Sequence, residues 1–593
     1  MGDGQVKWPV EKEGEANLWE IPGEQPCMVY GDSAESLGRV TTPLGDLRFT
    51  NLFGSDTAMA RQFGRRSSLE LQEGALNFLG AYPSAVRDGL VPAPIRRLGA
   101  WAGEQWLNQR LLRSLPGEYL KSLRAFAEGA GIETESFLTA QLLFDFWGLS
   151  ERITGPAAGL LQKRFAGARR YSPLVGSLSL ILPSQESGPL HLKTLDNSAV
   201  DRWDRKTTVA FYHPDRGLGY VLVSTAGFLT GLPTGMNSAG LTLSVEPGNE
   251  GSVDFEGVPL GPAAREVLSR AHTIEEGASI LRQYRPIVPW RYVVTEGDTG
   301  RVAVLHSHSG GVRQELFASK KIAVSYGDQG VQRDQSERFE RWHRIRGELL
   351  LEVQESWEEE SKDSVFAALQ SLGHSVTSDS ALPGHPICGL SNVAACLFEP
   401  QARRLWVAAG RAPSGRRWFV PLTLRGSFHG EGTVDRSVRP LKPALNWDES
   451  PAGRALENLR HAYRMSLGRE EGQRILITLE YALALDNQKP ALHLLAGLMA
   501  LKTGRARRAQ GAFERALQLV DDPIQRSEIT LYLGWAFDLQ GDRKAAKKLF
   551  GKLIKDPHCS PRVRSLAQKY RRLRFKAPQS LPEIDFILAT VLG

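Results

Sequence analysis

The sequence predicts an α+β layered body followed by an all-helical repeat domain. Two observations indicate the body: short β-rich runs bounded by turns recur between about residues 172 and 325, with two more between 392 and 410, and one helix predicted over residues 261–284 interrupts them. Their order favours antiparallel sheets over alternating βαβ units. A third observation indicates the repeat domain, because everything after about residue 453 is helical and repeats at a shift of 37 residues.

We expect three parts along the 593-residue chain. Residues 1–55 are rich in Gly, Pro and acidic residues and are expected to be irregular. Residues 56–440 are expected to form the layered body, which begins with helical segments, and residues 450–593 the repeats.

The composition is that of an ordinary globular protein, with 41% apolar and 23% charged residues. No apolar run approaches the roughly 20 residues that span a bilayer, and the polar N-terminus lacks the pattern of a secretory signal. Four scattered cysteines match neither a disulfide framework nor a metal motif. We therefore expect a cytoplasmic protein with no membrane partner, no metal and no cofactor.

The charge is unevenly distributed along the chain. Residues 451–593 carry 25 Lys and Arg against 14 Asp and Glu, a net charge of +11, whereas the rest carries 48 against 52. A basic surface suits nucleic acid or an acidic protein partner. Because no nucleic-acid-binding motif accompanies the charge, we do not expect a nucleic-acid partner, and a solvated helix surface is the ordinary explanation.

Residues 174–197 form the most informative segment, because they read as two short strands joined by a polar turn. Ser177 and Ser179 share one face of the first strand, and leucines occupy the other. Antiparallel pairing then brings Ser177 opposite roughly Leu195, which places the acidic Asp196 beside the serine.

Gly176 indicates a chemistry for this hairpin. A glycine before a nucleophile lets the backbone adopt conformations that other residues resist. The Ser177 hydroxyl could then attack the Gly176 carbonyl and cut the chain. The new α-amine, whose ordinary pKa is about 8, could serve as the base for its own hydroxyl. A plain β-hairpin without chemistry is the alternative that this segment alone leaves open.

The repeat domain contains two segments that align with one another. Gly497 and Phe513 of the first correspond to Gly534 and Phe550 of the second. Small residues at fixed positions let paired helices pack closely, and the pattern resembles the tetratricopeptide repeat, whose period is about 34 residues. We expect the three extra residues to lengthen the loop at 521–526.

Six segments agree in order and spacing with one known family, and the NSAGL element that begins at Asn237 is the most specific of them. They are residues 115–138, 176–197, 226–248, 265–283, 291–308 and 392–410. On these segments the chain resembles the acyl-coenzyme A:6-aminopenicillanic acid acyltransferase family, the peptidase C45 group of N-terminal nucleophile hydrolases.

The resemblance implies a four-layered αββα fold and self-cleavage between Gly176 and Ser177. It also implies a small-molecule substrate whose amide bond is hydrolysed, or whose acyl group is transferred from an amide or thioester to an amine. By this correspondence Ser177 is the nucleophile and Asp196 supports its amine. Lys193 stands where the family has an arginine.

Four positions depart from the family pattern. Ser177 replaces a cysteine, Lys193 replaces the arginine, and Thr194 replaces an asparagine beside the acid. Glu246 occupies the place of an asparagine that donates to the oxyanion, and an ionised carboxylate cannot donate a hydrogen bond. Glu246 could donate if burial keeps it protonated, or a backbone N–H could take the role. Asn237 is expected to fix a turn before the next strand.

Two functions therefore remain open from the sequence. The first is a self-processing amide hydrolase or acyltransferase, and the second is a catalytically inactive scaffold whose helical repeats bind a protein partner. Cys388 beside His385 could be a thiol nucleophile, and His306 with His308 could bind a metal. A loop cysteine and packed strand residues are the ordinary explanations of these two pairs.

Overall fold

The structure is a computed structural model with two compact units. The first contains residues 1–331, 352–372 and 391–443, and the second contains residues 332–351, 373–390 and 444–593. The last boundary, after Pro443, lies between the predicted end of the body at 440 and the predicted start of the repeats at 450. The residues that the structure describes are, with short internal gaps, 17–19, 27–73, 109–145, 174–197, 203–325, 364–372, 389–424, 433–443 and 448–576, together with 353, 357, 584 and 586.

The first unit contains an 11-stranded sheet. In order across the sheet, its strands are β1 (Asn17–Trp19), β2 (Cys27–Tyr30), β3 (Gly38–Thr42), β4 (Gly45–Gly54), β7 (Thr207–Pro214), β8 (Tyr220–Thr225), β9 (Thr234–Asn237), β10 (Leu241–Pro247), β11 (Trp290–Glu296), β12 (Arg301–His308) and β13 (Gly311–Ala318). Neighbouring strands are antiparallel except β4 and β7, which run parallel.

A second, six-stranded sheet is antiparallel throughout. In order across the sheet, its strands are β14 (Ile322–Ser325), β5 (Leu174–Leu182), β6 (Leu190–Asn197), β15 (Asn392–Glu399), β16 (Arg404–Ala409) and β17 (Trp418–Thr423). Strands β5 and β6 form the predicted hairpin. Its register is confirmed, because Ser177 lies opposite Leu195.

The expectation that residues 1–55 are irregular is wrong for β3 and β4. Val40 and Leu47 are fully buried, and Phe49 is 4% exposed in the core between the sheets. Alternate residues of a strand face the same side, so a Gly-rich and acid-rich stretch can still supply a buried apolar row. Gly45 makes the tight turn between the two strands with a φ of 141°.

The two sheets pack face to face around a shared apolar core. Met236 and Phe211 of the large sheet meet Phe398 and Val420 of the small one in this core. Helices pack against the large sheet, and one helix contacts β6 of the small sheet, so the first unit is a mixed α+β body. The helices are α1 (Asp56–Arg66), α2 (Ser68–Glu73), α3 (Gly117–Ala130), α4 (Leu260–Arg270), α5 (Ile274–Arg282) and α6 (Ser364–Ser371), of which the last contacts β6.

The prediction of one continuous helix over residues 261–284 is wrong, because the structure has two helices there, α4 and α5. The chain leaves helical geometry at Ala271, where the backbone is extended. Thr273 then begins a new helix, since its side chain accepts a hydrogen bond from the backbone N–H of Glu276. A capping threonine inside an apolar helical pattern therefore marks a boundary.

The second unit is all-helical over residues 451–572, and each helix there packs on the next one along the chain. None of the helices in the described part of the chain is both long and apolar enough to span a bilayer. The helices of the second unit are α7 (Pro451–Leu467), α8 (Gly472–Leu485), α9 (Pro490–Lys502), α10 (Ala506–Leu519), α11 (Pro523–Gln540), α12 (Arg543–Lys555) and α13 (Pro561–Arg572).

The two aligned repeats pack in the same way. The ring of Phe513 covers Gly497 so closely that a Cβ there would overlap it, and Phe550 covers Gly534 identically. The prediction of a longer loop at 521–526 is wrong. Helix α11 already begins at Pro523, and the Asp522 side chain caps it. The extra residues therefore lengthen the helix, because the Asp-Pro pair is a helix start rather than a loop signal.

Candidate active site

The predicted nucleophile lies between the two sheets, in contact with a carboxylate. Ser177 of β5 donates a short hydrogen bond from its Oγ to Glu246 Oε2 of β10. Ser177 is 2% exposed, and Glu246 is fully buried. A hydroxyl that donates to a carboxylate has the arrangement of a nucleophile with its base.

Lys193 of β6 compensates the charge of Glu246. Its Nζ lies 2.5 Å from Glu246 Oε1 and also donates to the carbonyl oxygen of Val245 at 2.9 Å. The lysine side chain is 4% exposed. Leaving one charge of a buried pair without its partner is costly, so each residue requires the other.

Ser179 connects the Lys193–Glu246 ion pair to Ser244. Its Oγ donates to Glu246 Oε1 at 2.8 Å and lies 2.7 Å from Ser244 Oγ. Glu246 thus accepts hydrogen bonds from three side chains: Ser177, Ser179 and Lys193. The alternative that Glu246 donates a hydrogen bond to an oxyanion stays a prediction.

His191 continues this hydrogen-bonded network beyond Ser244, away from Ser177. Its Nε2 lies 2.8 Å from Ser244 Oγ, and its Nδ1 lies 2.7 Å from Thr242 Oγ1. Burial and, secondarily, the charge of Lys193 lower the pKa of His191 to about 3. The imidazole is therefore neutral at ordinary pH, and it joins the two hydroxyls without adding charge.

Asp196 lies beside Ser177 in the backbone, but its side chain points elsewhere. The Cα of Asp196 is opposite that of Gly176. Because side chains alternate along β6, Asp196 lies on the opposite face from Lys193, which points toward Glu246. The carboxylate at the Ser177 hydroxyl is thus Glu246. A role for Asp196 at the amine of a cleaved chain stays a prediction.

Irregular pairing marks both sides of Asp196. The register between β5 and β6 shifts between Leu174 and Gly176, and that between β15 and β6 shifts between Asn392 and Ala394. Such bulges are frequent next to active sites, where they redirect a strand. The predicted processing position, Gly176, therefore adjoins a bulge.

Thr194 lies on the same face of β6 as Asp196 and is fully buried. It is therefore separated from the Ser177 hydroxyl by the strand itself. Its contribution to chemistry stays a prediction.

Asn237 performs the predicted turn-fixing role. Its Oδ1 accepts hydrogen bonds from the backbone N–H groups of Ala239 and Leu241, and its Nδ2 donates to the carbonyl oxygen of Ala271. Arg403 fastens the same turn from the other sheet, because its guanidinium donates to the Ser238 carbonyl oxygen. No pattern in the sequence indicated Arg403, which is more than 160 residues from this turn along the chain.

Sequence reasoning also missed Arg291. It lies opposite Glu246 in the β10–β11 ladder, is 6% exposed, and donates from Nε to the Pro247 carbonyl oxygen. Residues directly opposite in an antiparallel pair share a face. A second buried cation therefore shares the Glu246 face, and the alternation of the WRYVVTE strand was the signal for it.

Among the described residues, the other sequence candidates do not form a second site. His306 contacts the carboxylates of Glu250 and Glu315 at 3.7 and 3.3 Å, and His308 accepts a hydrogen bond from the Gly310 N–H. Within the described ranges, no group of three or more His, Cys, Asp or Glu could hold a metal ion. Cys388 and His385 lie outside the described residues.

Comparisons with known proteins give distant similarities. No family model matches the chain. An uncharacterized protein of Archaeoglobus fulgidus is 31% identical over 118 residues, which are 20% of this chain and 18% of that protein. Among solved structures, the Caenorhabditis elegans ortholog of N-acylethanolamine-hydrolyzing acid amidase is 13% identical, with a TM-score of 0.28. That similarity covers 38% of this chain and 93% of that one.

Proposed function

We propose that the first unit is an N-terminal nucleophile amide hydrolase or acyltransferase that cuts its own chain between Gly176 and Ser177. The observation that carries the proposal is the hydrogen bond from the Ser177 hydroxyl to Glu246. A serine hydroxyl is a weak nucleophile until a base accepts its proton. Glu246 is that base, and Lys193 stabilises its charge.

Cleavage requires no group beyond those described and one water. The Ser177 Oγ attacks the Gly176 carbonyl carbon as its proton passes to Glu246. The proton then goes to the departing amide nitrogen, which leaves an ester between Gly176 and the Ser177 hydroxyl and a free α-amine on Ser177. Water hydrolyses the ester and restores the hydroxyl.

The mature enzyme would use the same hydroxyl on a small amide or acyl substrate. In the intact chain Ser177 is 2% exposed, so a substrate reaches it only after the preceding segment has been cut and displaced. The α-amine or Glu246 then accepts the hydroxyl proton. Processing and substrate turnover therefore depend on the same atom.

A matched pair of serines tests the proposal. Ser177 and Ser179 are both buried, lie on one face of β5 and donate to Glu246. We expect Ser177→Ala to stay a single chain and Ser179→Ala to be cut, as measured by intact mass and N-terminal sequencing. Ser177→Cys should restore cleavage, because a thiolate is the stronger nucleophile. Cleavage of Ser177→Ala at the same bond would contradict the proposal.

One observation favours the second candidate, an inactive scaffold whose repeats bind a protein. Every polar atom of the ion pair is satisfied inside the core, which a purely structural network would also show. On α8, Ile477 and Tyr481 are 41% and 64% exposed one turn apart, as at a protein contact. The scaffold predicts that the wild-type chain stays uncut, and that Ile477→Ser with Tyr481→Ser releases a bound protein.

A further inference from the structure

Helix α12 carries an uncompensated line of lysines. Its sequence contains five lysines and no acidic residue. All five are exposed, and within the described part of the chain they make no ion pair. They are Lys544, Lys547, Lys548, Lys552 and Lys555.

Helical geometry places these lysines on one side of α12. Lys544, Lys548, Lys552 and Lys555 follow at intervals of three or four residues, which share a helix face. The opposite side is apolar, since Ala546, Phe550 and Leu553 are buried against neighbouring helices. The lysines therefore form a row about 16 Å long, at 1.5 Å per residue.

Arg571 of α13 joins this row. Gly551 lies between the lysines, and the Arg571 Nε is 4.0 Å from the position that a Cβ on Gly551 would occupy. The backbone carbonyl oxygen of Arg571 also accepts a hydrogen bond from Arg543 at the start of α12. We call Lys544, Lys548, Lys552, Lys555 and Arg571 the cationic face.

From the first residue of α12 to Arg574 the sequence has almost no negative charge, although Asp542 caps α12 and Asp538 pairs with Arg543 at its start. Residues 543–574 contain 12 Lys and Arg against one acid, Asp556. Like charges at i and i+4 destabilise a helix, whereas a merely solvated face usually mixes both signs. Such a concentration of one charge is typical of a surface that meets a polyanion.

Leu573 favours a lipid surface over a nucleic acid as the polyanion. It follows α13, lies two residues from Arg571 and is 59% exposed among arginines. An apolar side chain gains free energy from a hydrocarbon interface and gains nothing from a phosphodiester chain. The ammonium of Lys569 lies over the ring of Tyr570 on α13, so among the described residues this ring is not an open platform for stacking bases.

We propose that the cationic face docks the protein on the surface of an anionic lipid bilayer, with Leu573 inserted among the headgroups. Lysine clusters of this size attract anionic lipids, and one apolar anchor adds to the attraction. The contact is peripheral and requires no spanning segment. It replaces the expectation that the chain has no membrane partner, and it is independent of the Ser177 chemistry.

The test uses the full chain and vesicles of phosphatidylcholine with or without phosphatidylserine. We expect co-sedimentation with the anionic vesicles alone, weakened by salt. Since each basic residue near such a surface contributes about fivefold, replacing the four lysines of the cationic face by Gln should weaken binding by several hundred-fold, or roughly 4 kcal/mol. Leu573→Ser should also weaken it.

Control variants on the first unit test whether the loss of vesicle binding depends on where the charge or the apolar side chain is removed. Arg61, Lys121, Arg270 and Arg313 are exposed, ion-paired residues of the first unit, and their replacement by Gln removes the same charge. Leu69, which is 65% exposed, is the control for Leu573. Equal losses from the control variants, binding to neutral vesicles, no vesicle binding, or displacement of the vesicles by a DNA duplex would each overturn the proposal.

Discussion

In the layered body, the charged groups nearest Ser177 are buried and paired with one another, whereas on helix α12 of the repeats they are exposed and unpaired. Lys193 and Glu246 are 4% and 0% exposed in their pair. The lysines of α12 have no carboxylate partner in the described residues. The difference shows that the body holds the Lys193–Glu246 pair inside, between two sheets, while helix α12 holds its lysines on the surface. The repeats bury charge elsewhere, as at Asp538, which is fully buried and bound by Arg543.

Breaking the buried pair should give the largest effect. Lys193→Met leaves Glu246 charged and unpaired in the core, and we expect the free energy of unfolding to fall by about 3–5 kcal/mol. Arg61→Met removes an exposed partner of Glu128 and should change it by less than about 1 kcal/mol. Urea denaturation measures both. Similar losses for the two variants would erase the contrast between buried and exposed charge.

The apolar interior of the repeats should respond to added volume. A Cβ on Gly497 or Gly534 would overlap the ring of Phe513 or Phe550, so each Gly→Ala change should destabilise the protein by about 1–3 kcal/mol. Gly511 of α10 has no atom within 4 Å of the same position. Gly511→Ala should therefore stabilise by up to about 1 kcal/mol through helix propensity. A stabilising Gly497→Ala would show that the repeats are loosely packed.

The buried imidazole of His191 should make the free energy of unfolding depend on pH. Burial lowers the pKa of His191 to about 3, from an ordinary 6.5. The unfolded chain therefore binds the proton first, and the stabilisation by neutral His191 is complete above pH 6.5 and lost as the pH falls toward 3. The slope is at most about 1.4 kcal/mol per pH unit.

The difference between wild type and His191→Gln isolates this slope. The buried carboxyl of Asp145, whose pKa burial raises to about 7, has the opposite effect, since its contribution is lost as the pH rises from about 4 to 7. Because both proteins contain Asp145, its effect cancels in the difference. A difference that does not vary between pH 4 and 6.5 would mean that His191 is not held neutral.

The exposed lysines should give the smallest effect on stability. Lys548→Glu creates opposite-charge pairs at i,i+4 with Lys544 and Lys552, and we expect a gain of about 0.4–1 kcal/mol at low salt. Lys121→Glu of the first unit replaces an attractive contact with Glu118 by a repulsive one and should lose a similar amount. Thermal denaturation at low and high salt measures both, and a loss for Lys548→Glu would argue against an uncompensated face.

Local pattern was sufficient for the parts of the site that lie within one hairpin or one turn. Pairing across the polar turn predicted the hairpin register, and alternation placed Ser177 and Ser179 on one face. Asn237 was identified as the residue that fixes a different turn, the one before β10. The Gly and Phe positions of the repeats were likewise visible, because each repeat packs against itself and its neighbour.

The remaining parts depend on contacts between distant segments. Ser177 and Glu246 are 69 residues apart and belong to different sheets, so strand periodicity does not reveal that they touch. Pairing placed Asp196 beside Ser177, but the pleat turned its side chain to the other face. Strands β3 and β4 also contribute to the core between the sheets, through Val40 and Leu47. The polar residues around these two positions concealed the alternation of buried and exposed residues along each strand.

The N-terminal sequence of the purified wild-type protein tests the central claim most directly. If the Ser177 hydroxyl, activated by Glu246, cuts the preceding peptide bond, two fragments appear and the second begins with Ser177. The Ser177→Ala chain prepared in parallel stays whole. A wild-type chain that remains a single polypeptide, with the same mass pattern as Ser177→Ala, would contradict the account.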